Sequence, residues 1–547
     1  MSAEVQAGAG TEPANARRVL LTLVVVAAVA NLPLAMANVA LPSIGNYFDA
    51  SQIQLNLVAV AYSLGLACSV LWLGAVGDRY GRKQIAIIGV TLAIPAALIS
   101  GLAPTIEVLI FGRLFGGFTA GMAYPTTLAL IAALWGPGPA RTRAIAMWAA
   151  LGAAISVSGP LLAGILLNYA TWPWVFFIVT PLAVLALFMA MRNIPAHVNE
   201  TSEQVDHFGG ILSLVLIGAL VLALNFITIA AYRTAAIQLL VVFAVATVLF
   251  VIRQMRAKSP LYDLKIAARP TFWVAAVAGI IIFGSLMGAM FIGQQYMQNV
   301  LGFGTVQAAV PALFAGACMI LAAPRSAKMV ESIGSRATFL RGYVFILVAF
   351  VIMLLLWKEG TSFWVVAIAF MFVGIGIGLS GTPASRSLTG SVPVMKAGMA
   401  SGTADLQRDL GGAIFNSLFG ALLAAGYAAA IAAQLAAMPN AAQVPADVTN
   451  QLEMSYAGAV AVAEQYPEYA TQITTAARES FLAGDQNAYI AGIVAVLIGA
   501  ALIFFIFPNW EKERELLAGY HAIDAGAEGP IPVEMPAKKE KEDEAVW

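Results

Sequence analysis

Gly74-Ala75-Val76-Gly77-Asp78-Arg79-Tyr80-Gly81-Arg82-Lys83 joins two long apolar runs, near 56–77 and 84–103. Its glycines, Gly74, Gly77 and Gly81, let helix ends turn tightly against their neighbours. Asp78 is suited to accept the N-terminus of another helix through the macrodipole, and Arg79, Arg82 and Lys83 can surround it with a charge-assisted network. Such a latch would hold one face of a two-part molecule closed and would have to break during turnover. The plainer alternative is a solvated turn that only obeys the bias of basic residues toward the cytoplasm.

Outward from this turn, the pattern of long apolar runs continues. Of the 547 residues, 60% are hydrophobic and 11% charged, with a mean hydropathy of +0.84. Soluble domains carry about 25% charged residues, so a normal water-facing surface is excluded. Runs long enough to cross ~30 Å of hydrocarbon fall at 19–41, 56–77, 84–103, 107–134, 144–168, 173–191, 208–231 and 234–252. Six more lie near 271–297, 306–323, 337–357, 363–387, 398–427 and 488–507. The run after Arg17 and Arg18 is too long for a signal-peptide core and is read as the first span. Basic residues such as Arg79, Arg141, Arg192, Arg253, Arg269, Arg325 and Arg386 gather in connectors of one parity. This places both termini in the cytoplasm of a bacterial-type inner membrane.

The acid–glycine–base pattern recurs, degraded, as Glu331-Ser332-Ile333-Gly334-Ser335-Arg336. Parallel repeats of this kind mark transporters. The expected fold is therefore an all-α membrane protein of fourteen spans. It comprises an N-terminal tail (1–18), a six-helix bundle (19–192), two inserted helices with connectors (193–270), a second six-helix bundle (271–507) and a cytoplasmic tail (508–547). The inserted helices are expected to pack peripherally. The second bundle includes a long external loop, 428–487, punctuated by prolines and expected to hold two short helices. The tail from 508 is expected to be flexible.

Catalysis has little foundation. Cys68 and Cys318 lie inside apolar runs, and His197, His207 and His521 lie in connectors or the tail. No metal, cofactor or catalytic residue is expected, and a net charge of zero gives no argument for nucleic acid.

The 74–83 stretch closely resembles motif A of the major facilitator superfamily, and further segments resemble its fourteen-helix drug:proton antiporter family (EmrB/QacA type). Arg113 with Gly116-Gly117 is similar to motif B, whose arginine the resemblance ties to proton coupling, although Gly116 replaces the usual glutamine. Gly152, Gly159-Pro160 and Gly164 resemble the antiporter motif C, where glycine and proline permit close packing and a kink. Asn38-Val39-Ala40-Leu41-Pro42 matches the end of the first-helix motif. The resemblance covers about residues 19–507, with two further departures. The usual first-helix acid aligns with Pro33, leaving Asn31 as the nearest polar group. The Trp-Arg-Trp opening of the sixth span is Trp172-Pro173-Trp174.

Among the expected spans only the thirteenth places acids deep in the membrane: Asp405 and Asp409, with Arg408. A rise of 1.5 Å per residue from Gly398 puts the pair about 10–17 Å inside. An offset of four puts both carboxylates on one helix face. Charges at such depth normally mark ion or substrate pathways. The alternative is a structural Arg–Asp pair. Paired acids here, with a long loop before the last helix, resemble the QacA/SmvA-like subgroup. Tyr62, Trp72, Tyr124, Trp148 and Trp273 are candidates for a cation-binding cavity, as are Gln294, Gln295, Tyr296 and Gln298, with packing as the plainer role. The expected activity is proton-driven export of hydrophobic, cationic compounds by alternating access. Its partners are protons, a small substrate and the lipid bilayer. Export or flipping of an endogenous lipid or metabolite is the second reading, and a non-transporting receptor or scaffold the third.

Overall fold

The computed structural model describes residues 12–13, 15–50, 52–136, 138–195, 204–227, 232–437 and 444–524. The expectations for residues 1–11, for the connector around His197, for the loop segment 438–443 and for the charged tail from 525 lie outside these.

Apolar side chains recurring through every long run leave the backbone to satisfy its own polar groups, which in hydrocarbon requires helix. Accordingly, the ordered elements among the described residues are helices. The amino-terminal half comprises α1 (Ala16–Phe48), α2 (Gln52–Tyr80), α3 (Arg82–Gly101), α4 (Ile106–Leu134) and α5 (Pro139–Tyr169). One turn, α6 (Trp174–Phe177), then leads into α7 (Val179–Asn193). Between the halves come α8 (His207–Phe226), α9 (Arg233–Arg256) and the single turn α10 (Leu264–Ala267). The carboxy-terminal half holds α11 (Pro270–Asn299), α12 (Thr305–Leu356), α13 (Phe363–Gly390) and α14 (Ala397–Ala436). It continues through α15 (Ala446–Met454), α16 (Tyr456–Gln465), α17 (Ala470–Ile506) and α18 (Trp510–Asp524). Caps set several starts: the Thr105, Asp206, Ser362 and Ser455 side chains each accept a backbone N–H in the following turn.

Among the described residues, twelve helices are long and apolar enough to cross a membrane, where the sequence reading expects fourteen spans. One difference is α12. Its 52 residues would stretch about 78 Å as one rod, but Gly334, at φ 83°, breaks the helix into legs at 305–333 and 335–356. Each leg holds one expected span. The other is α5, which is not among the twelve yet packs inside the molecule between α1 and α12.

The halves meet along two seams. α14 lies against α2 and α4, and α5 lies against α12 and α13. α8 packs on α2 and touches α14, while α9 leans on α8 from outside with few buried residues.

Two expectations are corrected. The connector expected as an external loop is shorter than 428–487, because α14 runs on to Ala436 and α17 begins at Ala470. The polar-looking stretch 470–487 is helical because its small residues allow close pairing. A Cβ on Gly484 would lie 2.4 Å from the Leu423 carbonyl oxygen, so α17 and α14 meet backbone to backbone. α15 and α16 are the two short helices of what remains. Secondly, the chain beyond 508 is not free through Asp524. α18 docks on the carboxy-terminal half, with Arg269 gripping Asp524 at 2.8 Å and lying over the Tyr520 ring at 4.3 Å.

Candidate functional site

The first turn is built as its residues suggest. The Gly398 N–H donates to Asp78 Oδ2 at 2.7 Å, so the α2 carboxylate caps the first turn of α14 across the seam. Close approach makes this possible: a Cβ on Gly398 would sit 2.4 Å from the Gly74 carbonyl oxygen. Gly77 packs beside Thr126, and Gly81 takes a φ of 109° that glycine alone adopts readily. Buried Arg82 grips Asp78 Oδ1 at 2.8 Å and donates to the Val394 carbonyl at 2.6 Å, a second bond between the halves. Lys83 donates to the carbonyls of Met191 and Ile194 at the end of α7. Arg79 lies 5.9 Å from the Tyr80 ring. Arg141, at the start of α5, donates to the Thr389 carbonyl at 3.1 Å across the other seam.

Deeper in the molecule, α14 carries Asp405, Arg408 and Asp409 into the same seam. The Arg408 guanidinium lies 4.9 Å from the Trp148 ring, 5.0 Å from Phe283 and 5.3 Å from Tyr124. A cation of the carboxy-terminal half is thus held by rings from α4, α5 and α11. Tyr124 and Trp148 do face a cation, but it is the chain's own. Asp405 is 1% exposed and approaches Arg408 only to 3.6 Å, too far for a hydrogen bond. Neither Asp405 oxygen, nor Asp409 Oδ2, has a hydrogen-bond partner among the described residues. The site therefore holds two acids and one ring-bound base without a closed hydrogen-bond network.

Arg113 lies apart from these acids, inside the amino-terminal half. It donates to the carbonyls of Pro33 (2.9 Å) and Val58 (3.3 Å) and stacks 4.7 Å from the Tyr62 ring. Asn31 is buried and spends its amide on the Ala27 carbonyl of its own helix. The motif C residues Gly152, Gly159, Pro160 and Gly164 lie along α5, and a Cβ on Gly164 would lie 3.6 Å from the Val306 side chain on α12, an ordinary contact distance. Trp72 faces α8 rather than the central seam, pressing on Gly210 and donating to His207 Nδ1 at 3.2 Å. Trp273 and Gln294 are half-buried, and Gln298 is exposed at the far end of α11. The Asn38 and Pro42 side chains lie outside the described residues.

One acid escaped the sequence reading. Asp485, assigned there to the external loop, sits in α17 at 0% exposure. Neither of its oxygens, nor the Tyr489 hydroxyl one turn on, has a partner meeting hydrogen-bond geometry among the described residues. The Tyr489 ring meets Trp357 edge-on at 5.7 Å, and Trp357 stacks on Tyr296 at 4.7 Å. The signal was there at helical spacing: Ala477, Phe481, Gly484, Ala488 and Gly492 form one buried stripe.

Residues 23–416 match the family described as the Major Facilitator Superfamily. The chain belongs to this superfamily. As a member it is an integral membrane transporter rather than an enzyme. It is 31% identical over 375 residues to the multidrug resistance protein Stp of Mycobacterium tuberculosis, covering 68% of this chain and 69% of Stp. Over 490 residues, 89% of this chain and 95% of the relative, it is 28% identical to the multidrug efflux pump LfrA of Mycolicibacterium smegmatis. The methylenomycin A resistance protein of Bacillus subtilis is 32% identical over 296 residues, 54% of this chain and 63% of its own. These relatives support placing the transporter with the superfamily's drug:proton antiporters. Among solved structures, the human organic anion transporter MFSD10 superposes with a TM-score of 0.55 at 14% identity. It covers 89% of this chain and 99% of its own, a likeness of fold.

Proposed function

We propose that this transporter is a drug exporter that exchanges protons for hydrophobic, cationic compounds by alternating access between its halves. In this reading it has fourteen spans, with both termini in the cytoplasm of a bacterial inner membrane, and belongs to the QacA/SmvA-like subgroup. The 74–83 turn is then the cytoplasmic latch, and the α5 glycines and Pro160 serve the antiporter seam. The drug-efflux relatives support the activity. The observation that carries the coupling is the trio on α14: a buried and a half-buried acid, with oxygens unpartnered among the described residues, beside a base held by rings from both halves. Such acids are costly to keep charged without a partner. A proton or a cationic substrate satisfies them equally, so the two compete, and α14 spans the seam that must open and close. The missing acid at Pro33 favours the second reading, export of an endogenous amphiphile, since the usual first-helix site is absent.

Flux of a lipophilic cation in proteoliposomes, with and without an imposed pH gradient, tests the proposal. Asp405→Asn or Asp409→Asn, at whichever acid is essential, should abolish pH-driven flux. Arg408→Ala should shift its pH dependence. A purely structural trio predicts instead that single substitutions lower stability and the doubly neutral variant recovers much of it. Full coupling in both Asp variants would end the assignment.

A further inference from the structure

We propose that Arg113 is the core of an anion site, taking one small monovalent anion: a free halide or the carboxylate of an amphiphile. This inference is independent of proton coupling and of the α14 acids.

A guanidinium keeps its charge in a protein, so it cannot escape burial by losing a proton, as a carboxylic acid escapes by gaining one. Arg113 is 1% exposed about two turns into α4, and it forms no ion pair among the described residues. Its bonds go to two carbonyl dipoles, and the rings of Tyr62 and Phe176 lie 4.7 and 5.9 Å away. These hold the fork in place and leave a full unit of charge uncompensated. Nη2 has no partner. On α1 the chain supplies Pro33, which can offer only its carbonyl, and Asn31 is committed to Ala27.

A cavity of about 30 Å³ adjoins this guanidinium. Tyr62, Ala96, Ser100, Gly116 and Thr119 border it. The Ser100 and Thr119 hydroxyls now donate to carbonyls of their own helices, at 2.9 and 2.7 Å, and such rotors can turn to an anion instead. The volume exceeds the ~10–15 Å³ that one water requires, and it suits a halide or a single carboxylate. One positive charge, one free N–H donor group and two adjustable hydroxyls match a monovalent anion.

The test uses purified full-length protein in detergent, with chloride exchanged for gluconate at constant ionic strength while the melting temperature is followed. Wild type should show a saturable rise with chloride, the signature of binding to the folded state. Arg113→Gln should lose the rise, and Arg113→Lys should weaken it, because a point charge lacks the planar fork. Ala96→Val keeps the charge but fills the cavity, and should also abolish the rise; it preserves the test if Arg113→Gln folds poorly. An octanoate arm separates the sources. A rise with octanoate that chloride competes away assigns the carboxylate of an amphiphile, and a rise with chloride alone assigns the halide; both support the site. No change with either anion in wild type, or the same rise in Arg113→Gln and Ala96→Val, would overturn it.

Discussion

The turns at 78–82 and 331–336 begin from one pattern and find different partners. Each has an acid, a glycine three residues on with positive φ, and a base at its end. At the first, Asp78 reaches across the seam and caps α14. At the second, Glu331 caps nothing, and its Oε1 has no partner among the described residues. Glu513 of α18 takes the place of the repeat's own acid: its Oε2 accepts from the Ser335 N–H at 2.9 Å, and Arg386 lies 3.3 Å from its Oε1. One acid joins the two halves, while the other closes a helix start inside one half. The same turn geometry thus makes a contact between the halves in one place and a contact within one half in the other.

Asp78→Asn should break this comparison most visibly. Removing one partner of a buried, hydrogen-bonded pair costs about 3 kcal/mol, here charged only to the closed arrangement. That is enough to move a two-state equilibrium about a hundredfold. Spin labels at the exposed positions 80 and 395 should move apart on average, and flux should slow while folding persists. An unchanged distance distribution with wild-type flux would remove the latch.

Glu513→Gln should act differently. It leaves Ser335 and Arg386 less well paired inside a single half, at a cost of about 1–3 kcal/mol. The melting temperature should fall, with no change in the 80–395 distances. If those distances also broadened, the second turn would be a latch as well.

The smallest effect belongs to a pair beside the first turn, Asp263 and Lys396, 2.9 Å apart and partly exposed. Burial pushes the Asp263 carboxyl up, but the hydrogen bond and charge of Lys396, with the Lys265 and Ile266 N–H groups, outweigh it. Its pKa therefore lies below the ordinary value. The stabilisation is present at neutral pH and is lost as pH falls through the lowered pKa. Lys396→Met should cost less than about 1 kcal/mol, with a shallower loss of stability on acidification than wild type. A loss as steep as wild type's would show that the pair does not contribute.

Much of this was legible in the chain. The long apolar runs and the first turn carry strong local signals, since membrane burial and tight turns constrain nearly every residue in them. Arg408 beside Asp405 and Asp409 could be placed on one helix by spacing alone. The rings that hold Arg408 could not be matched to it, because Tyr124, Trp148 and Phe283 lie far off in the chain, the first two in the other half. Asp485 was hidden by composition: the Arg, Glu, Gln and Asn around it dilute the apolar signal, and its burial depends on glycine contacts with α14. Glu513 was hidden by distance, since nothing near Ser335 names a partner so remote.

That remoteness has a consequence for biosynthesis. The carboxylate that completes the turn at Ser335 lies 178 residues further along the chain. At ~5–20 residues per second, this helix start waits roughly 10–35 s before its acid leaves the ribosome. Until then the second half enters the bilayer with one cap unmade. A chain stopped before α18 would carry every span yet remain an unfinished substrate for membrane quality control.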